Sequence, residues 1–274
     1  MKDVRPSAVA GSWYPGGQGR LAEAVDAHLA AASDSSRSCP RAIIAPHAGL
    51  MYSGPVAAYA YKLVGPCAYT AVVLVGPSHF VGFDGVSVWP RGAWETPFGA
   101  VPVAEPLVAA IAAESSDIID YRAPHAREHS LEMQLPFVAR LLPGVPIVPL
   151  VMGYQRRETA HALGDALARA VASRAGERIL LVASSDLSHY EDARVAARLD
   201  AVVVRHVKAF DADSLMEALE REPRHACGGG PMVAVLRAAA QLGCTDARPL
   251  RYADSGDVSG DKSSVVGYMS AAVW

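Results

Sequence analysis

The residues in this chain best able to do chemistry are a scattered set of histidines and one cysteine. Of nine histidines, His47 follows Pro46, His79 closes Gly76-Pro77-Ser78-His79, and His189 closes Ser184-Ser185-Asp186-Leu187-Ser188-His189. Each comes just after a short apolar run. Neutral imidazole offers a lone pair near pH 7, which makes histidine the commonest metal ligand. Cys227, in Arg224-His225-Ala226-Cys227-Gly228-Gly229-Gly230, can add a thiolate. The glycines permit close backbone approach, and a helix start beyond them favours the thiolate form. Two imidazoles and a thiolate suit iron, copper or zinc and exclude calcium and magnesium as natural occupants. The plainer alternative for His47 and His79 is a hydrogen-bonded structural histidine, and for Cys227 a buried residue at a helix start.

Asp186 and His189 form a D-x-x-H pair. A carboxylate beside an imidazole can fix its tautomer and raise its basicity, as a general base requires; the alternative is a turn in which Asp186 or Ser185 caps a helix. The stretch His125-Ala126-Arg127-Glu128-His129-Ser130-Leu131-Glu132 is dense in ligand types but is not H-E-x-x-H. Its preferred reading is helix capping by Ser130, with one inward-facing His or Glu. Gly228-Gly229-Gly230 fits neither a dinucleotide nor a phosphate-loop motif, and without G-x-S-x-G a serine hydrolase has no support.

Positioning these groups requires a scaffold. Arg41 to Ala45, Ala71 to Val75, Ile147 to Val151 and Ile179 to Ala183 are short Ile/Val/Leu-rich runs, the pattern of strands buried on both faces. Val265 to Val273 is a further strand candidate. Leu21–Ala32, Pro55–Val64, Pro106–Ala113, Ser130–Leu142, Thr159–Ser173 and Pro231–Gln241 carry Ala and Leu at helical spacing. Alternation of the two predicts a single α/β domain over residues 1–274, with a mostly parallel sheet and helices on both faces. Ligands in such sheets gather outside the carboxyl ends of the strands, where His47, His79 and His189 fall. His28, His161 and His206 sit in predicted helices and read as solvated surface. His225 is ambiguous, and Ser33 to Ser38 reads as a solvated loop.

A net charge of −3 gives no reason to expect nucleic acid or an anionic membrane. No apolar run reaches the roughly 20 residues of a membrane span. The start of the chain lacks the apolar stretch of a signal peptide, and a cytoplasmic protein is expected. The four cysteines contain no C-x-x-C, so neither a zinc finger nor a disulfide framework is indicated. Cys39, Cys67 and Cys244 read as small buried apolar residues.

At these residues the sequence resembles the Memo family, also called AmmeMemoRadiSam system protein B. The matching motifs are Ala10 to Pro15, Ala45 to Gly49 with Tyr52-Ser53-Gly54, Gly76 to His79, Trp94 to Gly99, Glu128 to Glu132, Ser184 to Tyr190 and Ser264 to Tyr268. The resemblance implies a fold similar to class III extradiol dioxygenases, which hold iron(II) on two histidines and a glutamate and cleave catechol rings with oxygen. It matches His47 and His79 to the two histidine ligands and His189 to the acid/base histidine, and it makes Cys227 the third ligand. A thiolate in place of the carboxylate shifts metal preference toward softer ions. One transition-metal ion is expected, iron(II) or copper before zinc. His129, Glu132, Tyr52 and Ser185, in the same motifs, are expected at the pocket. Implied partners are a small-molecule or peptide ligand and the radical-SAM and AMMECR1-like proteins of the same system. The readings that follow are a metal-dependent oxidoreductase with His189 moving protons, or a binding protein that keeps the old pocket. A hydrolase using zinc-bound water is the weaker third.

Overall fold

A computed structural model describes residues 3–33 and 39–274; most of the Ser33–Ser38 loop expectation lies outside them. The chain opens with β1 (Val4–Arg5), α1 (Gln18–Ala31), β2 (Ala42–Ala45), α2 (Leu50–Val64) and β3 (Ala71–Pro77). An excursion follows through β4 (Val86–Val88), β5 (Ala93–Thr96), β6 (Gly99–Pro102), α3 (Glu105–Ala113), β7 (Ile118–Asp120) and α4 (Leu135–Leu141). The chain returns with β8 (Ile147–Met152), α5 (Arg157–Ala172) and β9 (Ile179–Ser184). It finishes with β10 (His189–Glu191), α6 (Ala193–Lys208), α7 (Ala212–Arg221), α8 (Gly229–Gln241), β11 (Ala247–Asp254), α9 (Gly256–Ser259) and β12 (Val265–Val273).

The large sheet runs β10-β12-β2-β9-β3-β8-β4-β7, with β11 also paired to β12. Its centre, β2-β9-β3-β8, is parallel throughout, and every residue of these four strands is buried. Burial on both faces is why they read as continuous apolar runs. The flanks are mixed. β12 joins antiparallel to β2, and β4 antiparallel to β8, which extends the parallel expectation into a mixed sheet.

The step from β2 through α2 to β3 and the step from β8 through α5 to β9 run in opposite directions along the sheet. Right-handed crossovers therefore put α2 and α5 on opposite faces. α1 and α4 join the layer of α2, and α8 packs beside α5 and against β9, β3 and β2.

Local differences from the sequence reading have local causes. Helix α2 starts at Leu50 rather than Pro55, because the Gly49 carbonyl accepts from Tyr52 N and Ser53 N and buried Leu50 anchors the turn. The helix expected over Ser130–Leu142 is a 3-10 turn at Glu132–Gln134 followed by α4, with Pro136 in its first turn. Ser130 caps nothing: its hydroxyl donates to Pro77 O at 3.0 Å. Cys39 and Cys67, expected as free buried thiols, are joined in a disulfide with Cα atoms 5.5 Å apart. Spacing alone could not show this, because the two meet only when the segment before β2 packs on the turn after α2.

Among the described residues no helix is long and apolar enough to cross a membrane.

Candidate metal centre

The carboxyl ends of β2, β9 and β3 lie side by side and in parallel, so the segments leaving them meet at one edge. His47 leaves β2, Asp186 and His189 leave β9, and His79 leaves β3. Cys227 comes from the turn before α8. They line one cavity of about 360 Å³ with His129, Trp13 and Tyr190. One nitrogen each of His47 and His79 and the Cys227 sulfur lie within 4.8 Å of one another.

The hydrogen bonds decide which nitrogen each ring offers. The Ser184 hydroxyl donates to Ser130 O at 2.7 Å, an atom that only accepts. Ser184 Oγ therefore accepts from Gln134 Nε2 at 2.8 Å and from His47 Nδ1 at 2.9 Å. The amide orientation of Gln134 follows in turn, because its Nε2 also donates to Pro46 O while its Oε1 accepts from Tyr61 Oη. His47 thus carries its proton on Nδ1 and presents the Nε2 lone pair, 3.1 Å from Cys227 Sγ. His79 Nδ1 donates to Glu128 Oε1 at 2.8 Å, and His189 Nδ1 donates to Leu187 O at 2.8 Å. All three imidazoles are left with Nε2 available.

Glu128 is fully buried. Burial alone would raise its carboxyl, but the His79 ring and the His79 and Ser130 backbone N–H groups hold it at about 2. It is an ionised acceptor whose Oε1 takes bonds from His79 Nδ1, His129 N and Ser130 N and whose Oε2 takes one from His79 N. That bears on an alternative cluster, His79, Glu128 and His129, whose ligand atoms also fall within 4.8 Å. Binding an ion there would strip Glu128 of the bonds that orient His79.

The electrostatics favour neutral rings at His47 and His129. Burial pushes His47 well below its ordinary value, and neighbouring His79 adds to this. Burial and the rings of His47 and His79 lower His129 to about 4. The Cys227 thiol moves the other way. Burial raises it, and the Asp186 carboxylate beside it raises it further. Burial thus opposes the thiolate form that the start of α8 favours. An arriving cation would have to displace the thiol proton.

Asp186 does not pair with His189. Its Oδ1 accepts the His47 backbone N–H at 2.6 Å, and Leu187 O sets the His189 tautomer. Ser185 braces the site rather than the cavity: its Oγ donates to Asp186 O and accepts from Gly228 N at 2.9 Å. Gly228 has to be glycine, since a Cβ there would sit 2.4 Å from Ser184 O. Gln155, beyond β8, completes the brace by donating to Cys227 O at 2.7 Å and accepting from Gly230 N at 2.8 Å.

His129 stacks on His79, with ring centroids 4.4 Å apart, and the Trp13 ring lies tilted against it at 4.3 Å. Glu132 lies outside the cavity lining. Its carboxylate pairs with Arg5 at 2.6 Å and accepts from Ala8 N, Val9 N, Ser7 Oγ and Tyr14 Oη. It pins the segment that delivers Trp13. Tyr52 stands in the first turn of α2 against Gly49 and also lies outside the lining. Among the histidines expected at the surface, His28 is half-buried beside Gly54, His161 faces Asp213 at 3.2 Å, and His206 is half-buried. His225 is buried.

The sequence reading leaves out Glu128, Gln134, Gln155 and Trp13 from the site. Glu128 carried a signal, since it sits beside His129 in the ligand-dense segment. The glutamines carried none, because their role appears only across strands.

An α/β protein with a two-histidine, one-cysteine cluster at the carboxyl edge of its parallel strands is the class that fold and site define. Residues 5–272 match the family model described as Memo-like protein. The chain is 37% identical to a MEMO1 family protein of Thermotoga maritima, over 98% of this chain and 99% of that one. It is also 37% identical to a MEMO1 family protein of Methanocaldococcus jannaschii over the full length of both. An uncharacterized protein from Escherichia coli K12, known from a crystal structure, shares the fold. Its TM-score is 0.55 at 15% identity, over 83% of this chain and 98% of that one. The chain belongs to the Memo-like family.

Proposed function

We propose that the protein binds one transition-metal ion on His47 Nε2, His79 Nε2 and Cys227 Sγ and is an oxidoreductase acting on a small molecule admitted to the adjoining cavity. The observation that carries this is the convergence of one nitrogen of each ring and the sulfur within 4.8 Å, with Nδ1 of each imidazole committed to a fixed acceptor. The donor set is mixed nitrogen and sulfur, which fits iron(II) or copper, and zinc as well. When bound, such an ion supplies electron transfer and open positions for a reactant. The chain supplies the rest. Ser184 and Glu128 orient the ligand rings, Asp186 fixes the backbone of His47, and His189 Nε2 is free to take or give a proton at the cavity wall. A cytoplasmic setting, and association with the radical-SAM and AMMECR1-like proteins of the family's system, belong to the same reading.

The test is metal analysis of untagged protein purified without oxygen. About one equivalent of iron or copper is expected, with Cys227→Ser losing any sulfur-to-metal charge-transfer band. His189→Ala should keep the metal and lose turnover or change its pH profile. If no transition metal copurifies or rebinds, the reading fails.

A second reading is a non-catalytic receptor for a peptide or small ligand. The exposed rings of Trp13 and Tyr190 at the cavity favour it. Ligand binding that is equally tight with and without metal would select it.

A further inference from the structure

A second cavity lies at the opposite edge of the sheet and is independent of the metal reading. It measures about 470 Å³ and opens at the amino ends of β2 and β9, between Cys39, Arg41, Tyr69, Arg178 and Cys244. Cys39 leads into β2, and Cys67, its disulfide partner, lies in the turn before β3.

We propose that this cavity is a thiol–disulfide exchange site, in which a small anionic thiol opens the Cys39–Cys67 bond by attack on Cys39. Access decides the sulfur attacked. Cys39 lines the cavity, whereas Cys67 does not and is buried. Charge selects the thiol. Arg41 and Arg178 both line the cavity, and neither is ion-paired among the described residues. Glu177, the acidic side chain at the rim, is already paired with Arg174 at 3.0 Å. Carboxylates carried by an entering thiol would meet the two guanidinium groups.

The backbone adds an independent observation. Cys39 is one of three non-glycine residues with positive φ among the described residues, at 58°, a region such residues seldom occupy. It is held there from both sides. Cys39 N donates to Leu63 O, and Tyr69 Oη donates to Pro40 O at 2.5 Å. The leaving group is provided for as well: Leu63 O lies 3.3 Å from Cys67 Sγ, ready to accept from the thiol once it forms.

The exchange balances as follows. The thiolate RS⁻ attacks Cys39 Sγ, forming an R–S–S–Cys39 mixed disulfide. The Cys39–Cys67 bond breaks, and its electron pair leaves on Cys67 Sγ, which takes a proton from water. A second thiolate attacks the external sulfur, releasing RSSR and the Cys39 thiolate. The net change is protein disulfide plus two RSH to protein dithiol plus RSSR.

The test uses the intact protein with three probe thiols at equal thiolate concentration: glutathione (anionic), 2-mercaptoethanol (neutral) and cysteamine (cationic). Samples are quenched in acid and read by intact mass and peptide mapping. The adduct is expected on Cys39, with Cys67 as the free thiol. The rate ratio of glutathione to cysteamine at low salt should exceed that of an Arg41→Gln/Arg178→Gln variant by about tenfold, the lower end of electrostatic rate enhancement. It should shrink as salt is added. Arg178 is exposed, so an Arg178→Gln single variant keeps the fold and should give part of the effect. An adduct on Cys67, a ratio unmoved by the substitutions, or protein whose Cys39 and Cys67 are both alkylated without reductant would overturn the proposal.

Discussion

The proton on His47 Nδ1 has one acceptor, Ser184 Oγ, because the hydroxyl hydrogen is already given to Ser130 O. The proton on His79 Nδ1 has Glu128, a carboxylate held ionised at about 2. Such outer partners fix ring orientation and raise ligand basicity. Glu128→Gln removes the charge and turns part of the acceptor into a donor. Zinc affinity of the metal-free protein, measured by calorimetric titration, is expected to fall about 10- to 100-fold, the usual cost of losing such a partner. An unchanged affinity would mean that His79 does not bind the ion. At this scale the sequence exposes residue types but not their pairing. His47, His79 and Cys227 were legible because strand ends and glycines flag them. Glu128 and Glu132 sit four apart in one segment with nothing in the local pattern to separate them. Burial against His79 on one side and Arg5 on the other gives them different work.

Elements hold the site through contacts that no single segment contains. Arg5, on the two-residue strand β1, is buried over the Trp94 ring and donates to His125 O, Glu128 O and Glu132. It clamps the backbone of the segment that carries Glu128 and His129. Arg5→Ala strands the Glu132 carboxylate in the interior and is expected to cost about 3–5 kcal/mol in urea unfolding at pH 7, as for other broken buried pairs. The same pair gives a pH dependence. Burial would raise the Glu132 carboxyl, but Arg5 and the Ala8 and Val9 N–H groups lower it from 4.5. A group with a depressed native value contributes stability that is fully present above its unfolded value and is lost as pH falls through the native one. Glu132→Gln should therefore flatten the stability profile below about pH 4.5, the ordinary glutamate range, relative to the parent. An identical acid limb in the two proteins would show that the pair carries none of it. The central strands were plain as apolar runs because both faces are buried. Helices α6 and α7 were not, because they bury only a narrow stripe, with Val203, Val207, Leu215 and Leu219 set among charged residues. The disulfide was invisible for the same reason as the Arg5 clamp: both are consequences of tertiary packing.

Across the whole molecule, the sheet separates stability from chemistry. The apolar centre of β2, β9, β3 and β8 needs none of the site residues, and the donor atoms of the site belong to segments at residues 47, 79 and 227 that meet only when that sheet is formed. An unfolded chain offers no such convergence, so an ion that binds here binds the native state. Linkage then requires the ion to stabilise the fold, by about 2.7 kcal/mol when its free concentration is 100 times its Kd. The metal-free protein should unfold at a lower urea midpoint than protein with added zinc, and a chelator should restore the lower value. His47→Ala should abolish the increment, and Cys227→Ser should reduce it. Neither change removes a member of the apolar centre of the sheet, so the metal-free unfolding free energy of Cys227→Ser is expected to stay within about 1 kcal/mol of the parent, as for substitutions away from the core. The increment should also fade as the solution is acidified, because protons compete with the ion for both imidazoles and for the sulfur. Burial works against His47 protonation and against Cys227 ionisation, so the sulfur sets the steeper part of that competition. A zinc increment of equal size in the parent and in His47→Ala would place the ion elsewhere on the protein.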